Sequence, residues 1–289
     1  MKPAKVIAEI GCNHQGEMKI AKQMIETAKY FCNVDVIKFQ KRNPKECLSE
    51  EEYYSPHPIP YHSFGKTYGE HREFLEFTLD QHKELKADCE KLGIVYSSSV
   101  WDLTSAKEIT SLNPEYTKIP SARNTHFEML EYLCKNYRRE LLMSLGMTTH
   151  KEEEEIVNFF INQRRNNDLV LYACTSGYPV PHEDVCLLEI KRLQEKFSGS
   201  IKAIGFSGHH RGIAIDMAAF ILGAQYIERH FTLDRTWKGT DHAASLEPDG
   251  LRRVARDIKA VAKALTYKKK EILDIEEIQR KKLKRKENR

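Results

Sequence analysis

The amino-acid sequence predicts a (β/α)8 TIM barrel. Short apolar runs alternate eight times with amphipathic stretches over about 265 residues, which is the order and length of such a barrel. Polar side chains follow most of these runs, as they do where parallel strands end at a functional face. A doubly wound sheet is the alternative, but the chain has no GxGxxG turn of the kind that binds phosphate in that fold.

Each predicted strand is a short apolar run, and each predicted helix shows apolar residues at helical spacing. The strands are predicted at 6–9, 36–40, 95–98, 116–119, 141–144, 169–173, 203–207 and 226–230. The helices are predicted at 20–30, 79–91, 106–111, 127–135, 151–163, 186–197, 213–222 and 248–265. Thr149 and Glu152 suit a capping box at the start of the fifth helix. This division gives a barrel domain at 1–265 and a basic C-terminal tail at 266–289.

Two further segments need an interpretation. The connection from 42 to 78 is far longer than ordinary loops, and its aromatic residues and mixed charge favour an ordered loop over the top of the barrel. The acidic run at 152–155 is interpreted as a solvated first helical turn, where negative charge is favourable.

Composition excludes several classes of protein. No apolar run is long enough for a membrane span, and the first residues do not form a signal peptide, so we expect a cytosolic protein. The seven cysteines are scattered without a CxxC pair, which favours reduced thiols. The net charge of +4 comes from residues 280–289, which carry seven Lys or Arg and one Glu. Because residues 280–289 include no aromatic side chain for base stacking, we expect a solvated, frayed terminus and no nucleic-acid partner.

The polar residues at the predicted strand ends suggest two chemistries. Lys38 and Lys118, with nearby serine hydroxyls, would suit a phosphate or carboxylate, because lysine supplies charge and serine supplies directional donors. His209 and His230, with neighbouring carboxylates, would suit a divalent cation that polarises a carbonyl oxygen. The residues alone leave open a second interpretation, in which the two histidines are held by backbone hydrogen bonds and bind no metal.

Several stretches resemble the sialic acid synthases, which make nonulosonic acids from phosphoenolpyruvate and an aldehyde sugar. These stretches are AEIGCNHQG at 8–16, VIKFQ at 36–40, SFGKTYGEHREFLEF at 63–77, LGMT at 145–148, ACTSGYPVP at 173–181, IGFSGHH at 204–210 and ERHFTLDRTWKGTDHAASLEP at 228–248. The resemblance spans roughly residues 5–265, and the stretch at 63–77 is most similar to the animal-type enzymes, which act on a sugar 6-phosphate.

The resemblance implies a role for each matching position. The family's ligands for its metal, Mn²⁺ or Mg²⁺, correspond to His209 and His230, and the residues that hold the metal-bound water correspond to Glu228 and Asp241. Contacts to phosphoenolpyruvate fall on Lys38, Lys118, Ser99, Ser121, Ser144 and Ser207. Glu9 and Gln40 fall near the metal and the sugar, and Tyr178 falls in the substrate pocket. The implied reaction is attack by C3 of phosphoenolpyruvate on an open-chain aldehyde, then water addition at C2 and loss of phosphate, in a homodimer.

Two departures from the family pattern affect the expected substrate. Arg123 stands where many relatives have an acidic residue beside the sugar; it could not act as a base but could meet a phosphate on the sugar. Only 24 residues follow Leu265, so we expect the family's C-terminal antifreeze-like domain, which helps to read the N-acetyl group, to be missing. Mannose or mannose 6-phosphate is therefore a candidate beside N-acetylmannosamine or its 6-phosphate. A metal-dependent hydrolase and a non-catalytic sugar-phosphate-binding barrel are the alternative functions.

Overall fold

The protein is a closed barrel of eight parallel strands, in a computed structural model that describes residues 2–284. Each strand pairs with its neighbour in chain order, and β8 closes the barrel on β1. The strands are β1 Lys5–Gly11, β2 Val36–Lys41, β3 Val95–Val100, β4 Tyr116–Ile119, β5 Glu140–Ser144, β6 Leu169–Cys174, β7 Ala203–Gly208 and β8 Tyr226–His230. The predicted (β/α)8 barrel is confirmed, and every predicted strand boundary lies within two residues of the observed one.

Helices connect the strands around the outside of the barrel. They are α1 Met18–Glu26, α2 Pro44–Cys47, α3 Glu50–Tyr54, α4 Tyr68–Leu75, α5 Leu79–Leu92, α6 Leu103–Leu112, α7 Phe127–Asn136, α8 His150–Asn162, α9 Glu189–Phe197, α10 Ala214–Ile221, α11 Pro248–Ala264 and α12 Asp274–Leu283. The predicted capping box of α8 is confirmed by reciprocal bonds between Thr149 and Glu152. Helix α9 begins later than predicted, because Cys186 has a left-handed backbone with φ of 52°, which a helix excludes.

The acidic run at the start of α8 is not fully solvated, as the sequence interpretation had it. The Glu153 side chain is 3% exposed, and its two oxygens accept hydrogen bonds from Arg192 of α9 at 2.7 and 2.9 Å. This residue faces the neighbouring helix, whereas Glu152 and Glu154 are not buried. The solvated-turn interpretation is therefore wrong for Glu153.

The end of the chain contains more regular structure than predicted. The basic run at 280–289 was expected to be frayed, but residues 280–283 belong to α12, a helix without buried residues. The tail positions 285–289 lie outside the described residues. Within residues 2–284, no helix combines the length and the apolar character needed to cross a membrane.

The strands bury apolar side chains at the lower end of the barrel and polar ones at the upper end. We call the apolar cluster at the lower end the plug; it consists of Ile7, Val36, Tyr116, Leu142, Val170, Tyr172, Ala203 and Tyr226. Side chains two residues further along the same strands point the same way, because strand side chains alternate with a period of two. Glu9, Lys38, Lys118, Ser144 and Glu228 follow plug residues at this spacing. The alternation therefore places these polar groups together above the plug.

Arg229 lies between Glu228 and His230 in β8, and its side chain points outward and holds β8 against α10. Arg229 is 1% exposed and donates to the carboxylate of Asp216, to the carbonyl of His210 at 2.6 Å and to the carbonyl of Gly212 at 3.0 Å. Arg229 and Asp216 thus form a buried ion pair behind the strand that carries Glu228 and His230.

We expect Asp216→Asn to lower the free energy of unfolding by about 3 kcal/mol, because a buried guanidinium would lose its counter-charge. Urea unfolding followed by circular dichroism measures this loss. Asp257→Asn, in the partly exposed ion pair with Arg256 on α11, is the control and should cost less than about 1 kcal/mol. Equal losses in the two variants would contradict a special role for the buried pair.

Candidate active site

A cavity of about 430 Å³ opens at the carboxyl ends of the strands. It is of the size that small-molecule sites commonly have. Thirteen of the fourteen predicted site residues line it, and Arg123 is the exception. The thirteen are Glu9, Lys38, Gln40, Ser99, Lys118, Ser121, Ser144, Tyr178, Ser207, His209, Glu228, His230 and Asp241. Residues from all eight strand ends and the loops after them therefore meet at one place, although their functional roles stay predictions.

Strand register explains why the charged groups are neighbours. Glu9 of β1 is in register with Lys38 of β2 on one side and with His230 of β8 on the other. Lys38 forms an ion pair with Glu9 and donates to the Ser99 hydroxyl at 2.8 Å. The Lys118 ammonium lies 3.2 Å from both oxygens of Glu228, whose Oε1 also accepts a hydrogen bond from Ser207 at 3.0 Å. The two lysines and two glutamates form one buried network.

The two carboxylates of this network have opposite electrostatic environments. Burial raises the pKa of Glu9 to about 7, although the nearby ammonium of Lys38 opposes that change. Burial also acts on Glu228, but the charges of Lys118 and Lys38 outweigh it and lower its pKa to about 2. Glu228 is therefore an anion at neutral pH, whereas Glu9 can gain or lose a proton near that pH. Two neighbouring carboxyl groups whose pKa values are shifted in opposite directions are typical of sites that carry out acid–base chemistry.

The two predicted metal histidines face each other across the cavity. Their ring centroids are 5.4 Å apart, and His209 Nδ1 lies 3.0 Å from the carbonyl oxygen of Thr175, which leaves Nε2 as its possible ligand atom. His230 is partly buried, and its Nδ1 atom is shielded from solvent without a hydrogen-bond partner within residues 2–284. Burial lowers the pKa of His230 to about 4, so its ring is neutral at pH 7, as a metal ligand must be.

Two carboxylates and the His230 ring meet beside the backbone of Gly11. A Cβ built on Gly11 would lie 3.1 Å from Glu9 Oε1, 3.7 Å from Asp241 Oδ2 and 3.7 Å from His230 Cε1. The backbone of Gly11, with φ of 55°, thus leaves room where these three side chains converge. Imidazole nitrogens beside carboxylate oxygens are a donor set that divalent Mn²⁺ or Mg²⁺-type cations accept. The cavity therefore offers ligand atoms of the kinds that suit a divalent cation, although within residues 2–284 no three of them lie within 4.8 Å of one another.

A second group of possible ligand atoms lies outside the cavity. His150, Glu153 and Glu189 each bring one such atom within 4.8 Å of the others. However, Arg192 donates to the carboxylates of both Glu153 and Glu189, at 2.6 to 2.9 Å. Because a guanidinium already neutralises these oxygens, this group is an ion-pair cluster between α8 and α9.

The remaining predicted contacts surround the upper cavity. The Ser121 hydroxyl accepts a hydrogen bond from the backbone N–H of Gly146 at 3.0 Å. The Tyr178 ring stands over His209, with centroids 4.4 Å apart, and is 51% exposed. Lys238 does not line the cavity; its ammonium lies 4.5 Å from the ring centroid of Phe64.

The long connection, which we call the cap segment (residues 42–78), is ordered over the barrel mouth as predicted, and it contains α2, α3 and α4. It contributes two arginines that sequence reasoning did not assign to the site, Arg42 and Arg72. Arg42 lies 4.1 Å from the centroid of Trp101 and forms a buried ion pair with Glu76 at 3.0 Å. The only sequence signal for these arginines was the length and composition of the segment.

Arg123 does not reach the cavity, contrary to the expectation that it meets a phosphate on the sugar. Its guanidinium turns toward the cap segment and donates to the carbonyl oxygen of Cys47, at the end of α2, at 3.0 Å. The neighbouring residues Ser121 and Ala122 do line the cavity. In this structure Arg123 therefore connects the β4–α7 loop to the cap segment, and its predicted substrate contact has no geometric support.

Comparison with known proteins gives the same family from sequence and from structure. The model of the NeuB family matches residues 24–270. The N-acetylneuraminate-9-phosphate synthase of Mus musculus is 40% identical over 274 residues, which cover 95% of this chain and 74% of that protein. The N,N'-diacetyllegionaminic acid synthase of Campylobacter jejuni is 35% identical, with 92% and 78% covered. The crystal structure of a sialic acid synthetase from Leptospira borgpetersenii, in complex with citrate, superposes with a TM-score of 0.81 at 28% identity, covering 99% of this chain and 94% of that one.

Proposed function

The chain belongs to the NeuB family, and from that premise we propose that it is a nonulosonic acid synthase. It would join C3 of phosphoenolpyruvate to the aldehyde carbon of an open-chain sugar, add water at C2 and release phosphate by C–O cleavage. The acceptor would be N-acetylmannosamine, mannose or one of their 6-phosphates. Relatives named as synthases of N-acetylneuraminate 9-phosphate and of diacetyllegionaminic acid support this reaction class.

One observation carries the proposal. Lys38 and Lys118, each 2% exposed, lie at the base of a cavity whose wall also holds His209 and His230. Two buried ammonium groups are costly unless they face anions, and Glu9 and Glu228 are the only carboxylates paired with them within residues 2–284. A phosphorylated, carboxylated substrate would bring further negative charge to the same groups. A site for phosphoenolpyruvate accounts for this arrangement.

The chain's own residues can bind, orient and exchange a proton with such a substrate. Lys38 and Lys118 would neutralise its anionic groups, and the hydroxyls of Ser99, Ser121, Ser144 and Ser207 would orient it. Glu9, with a pKa of about 7, is the carboxyl best suited to accept a proton from the water that adds at C2. Gln40 and Tyr178 would border the sugar.

A divalent cation of the Mn²⁺ or Mg²⁺ type, held by His209 and His230 with Glu228 and Asp241 nearby, would supply Lewis-acid polarisation of the aldehyde oxygen. The cytoplasmic location and the homodimer expected from the sequence remain predictions.

Incubation with phosphoenolpyruvate, Mn²⁺ and each of the four sugars tests the proposal through phosphate release and mass spectrometry of the product. We expect phosphate release that depends on a sugar, together with a product whose sugar chain has nine carbons. Release of phosphate without any sugar would favour a hydrolase. Saturable binding of a sugar phosphate without turnover would favour a non-catalytic binding barrel.

A further inference from the structure

The cavity wall contains one arginine that forms no direct ion pair. Arg72, on α4 of the cap segment, is half-buried and lines the cavity. Its Nε donates to the hydroxyl of Tyr68 at 3.0 Å, and its Nη2 donates to the same oxygen. Its guanidinium forms no ion pair within residues 2–284, although the more distant carboxylate of Asp241 acts on its charge. A neutral phenol is thus its principal polar contact.

The other three cationic side chains of the cavity wall are all paired. Lys38 forms an ion pair with Glu9, Lys118 with Glu228, and Arg42 with Glu76. A half-buried guanidinium that lacks such a partner loses hydration without gaining an ion pair, which is unfavourable unless an anion binds it. Arg72 therefore differs from the three paired cations of the cavity wall.

The scaffold around Arg72 holds this side chain in place. Helix α4 begins at a cap in which the Thr67 hydroxyl accepts from the backbone N–H of Glu70 at 3.2 Å. A Cβ on Gly69 would lie 2.3 Å from the ring of Tyr53, so α4 packs directly on α3. The ring of His71 stacks on Phe64, with centroids 5.8 Å apart. A guanidinium on such a fixed support is preorganised for a bidentate anion.

Arg72 and the two lysines come from different parts of the molecule. Lys38 and Lys118 project from strands β2 and β4 inside the barrel, whereas Arg72 projects from the cap segment that covers the mouth. A substrate pair that occupied the whole cavity would therefore meet cationic groups at two places. Phosphoenolpyruvate accounts for the lysines in the proposed reaction. A second anionic group, on the acceptor, would account for the arginine.

Resting on the proposed function, we propose that Arg72 binds the phosphate monoester of a phosphorylated aldose and thereby selects sugar 6-phosphates over the free sugars. Tyr68 accepts from Nε and Nη2 and so fixes the orientation of the guanidinium, while the Nη1/Nη2 edge keeps paired N–H donors that match two phosphate oxygens. The phosphate at this place takes no part in bond making or breaking. Arg72 is thus a specificity-determining residue and does not contact the reacting carbons.

The test compares wild type, Arg72→Met and Arg72→Lys with N-acetylmannosamine 6-phosphate, mannose 6-phosphate and the two free sugars. For Arg72→Met we expect kcat/KM for the phosphorylated sugars to fall about 10- to 100-fold, mostly through KM, since a charge-assisted contact is lost. For any free sugar that the wild type uses, kcat/KM should change less than about twofold. Arg72→Lys should recover part of the loss, because lysine keeps the positive charge but lacks the paired N–H donors of the guanidinium. Lys66→Met, at an exposed lysine of the same cap segment, is the matched control.

Two results would overturn the assignment. One is a loss for Arg72→Met that is equal for phosphorylated and free sugars; the other is a rise in KM for phosphoenolpyruvate alone. Calorimetric binding of N-acetylmannosamine 6-phosphate without phosphoenolpyruvate is a readout that does not need turnover. If no sugar supports phosphate release, the proposed synthase function fails, while weaker binding by Arg72→Met than by wild type would still support the phosphate contact. Equal binding by both would refute it.

Discussion

Replacing His230 with alanine is expected to lower sugar-dependent phosphate release by about 10²- to 10³-fold while the barrel remains folded. The ring of His230 is partly buried, its Nδ1 has no hydrogen-bond partner within residues 2–284, and the side chains of Glu9, Asp241 and His230 meet beside Gly11. Removing the ring deletes a candidate metal ligand but breaks no hydrogen bond of that nitrogen. His209→Ala should behave similarly, although it also loses the contact of Nδ1 with the Thr175 carbonyl.

Measuring the amount of bound metal distinguishes a role of His230 as a metal ligand from a role in packing. Purified wild type loaded with Mn²⁺ should retain more metal after dialysis than His230→Ala, as measured by atomic emission, and circular dichroism should show the same helical content in both. His182→Ala is the matched control, because this exposed histidine lies at the same end of the barrel and outside the cavity wall. Wild-type turnover in both His209→Ala and His230→Ala would exclude the metal site.

Lys118→Met is expected to reduce kcat/KM for phosphoenolpyruvate by about 10³-fold, since it removes a buried cation from the candidate anion site. The ammonium of Lys118 lies 3.2 Å from both oxygens of Glu228 and 3.5 Å from the ring centroid of Tyr172. Its loss would also leave Glu228 with only the more distant ammonium of Lys38, at 3.8 Å, and the Ser207 hydroxyl. We therefore expect an accompanying loss of stability of about 1–3 kcal/mol.

A double variant distinguishes the two effects of this substitution. Adding Glu228→Gln to Lys118→Met removes the unbalanced carboxylate, so much of the stability should return, whereas activity should stay low. Lys202→Met, in the exposed ion pair with Glu140, is the control for loss of a lysine. Recovery of activity together with stability in the double variant would show that Lys118 acts only by balancing Glu228.

Local sequence patterns were sufficient for the barrel and for most of the candidate site. The strands of a parallel barrel are buried on both faces, so they appear as short apolar runs, and polar residues at their ends mark the functional face. Lys38, Lys118 and Glu228 could be placed together for two reasons. Side chains alternate between the two faces along each strand, and parallel pairing determines which residues of neighbouring strands lie side by side. His209 and His230 follow from the same regularity at the ends of β7 and β8.

The residues of irregular segments could not be placed in this way. Arg123 turns to the carbonyl of Cys47, and Arg72 enters the cavity from α4, because side chains in a cap segment are directed by its own tertiary contacts. Neither direction follows from a periodic pattern. The π-helical continuation of α1 at Thr27–Cys32 and the late start of α9 were likewise absent from the sequence prediction.

The sequence by itself determined the barrel, the face that carries the polar residues and the family resemblance, since each depends on repeated local patterns or on matched stretches of residues. Only the tertiary structure decided which charges are paired, which nitrogen of His230 lacks a partner and which arginine of the cavity wall has no direct ion pair. These properties depend on distances between atoms remote in sequence. Small changes in direction at such distances determine whether an ion pair forms, and no local pattern encodes them.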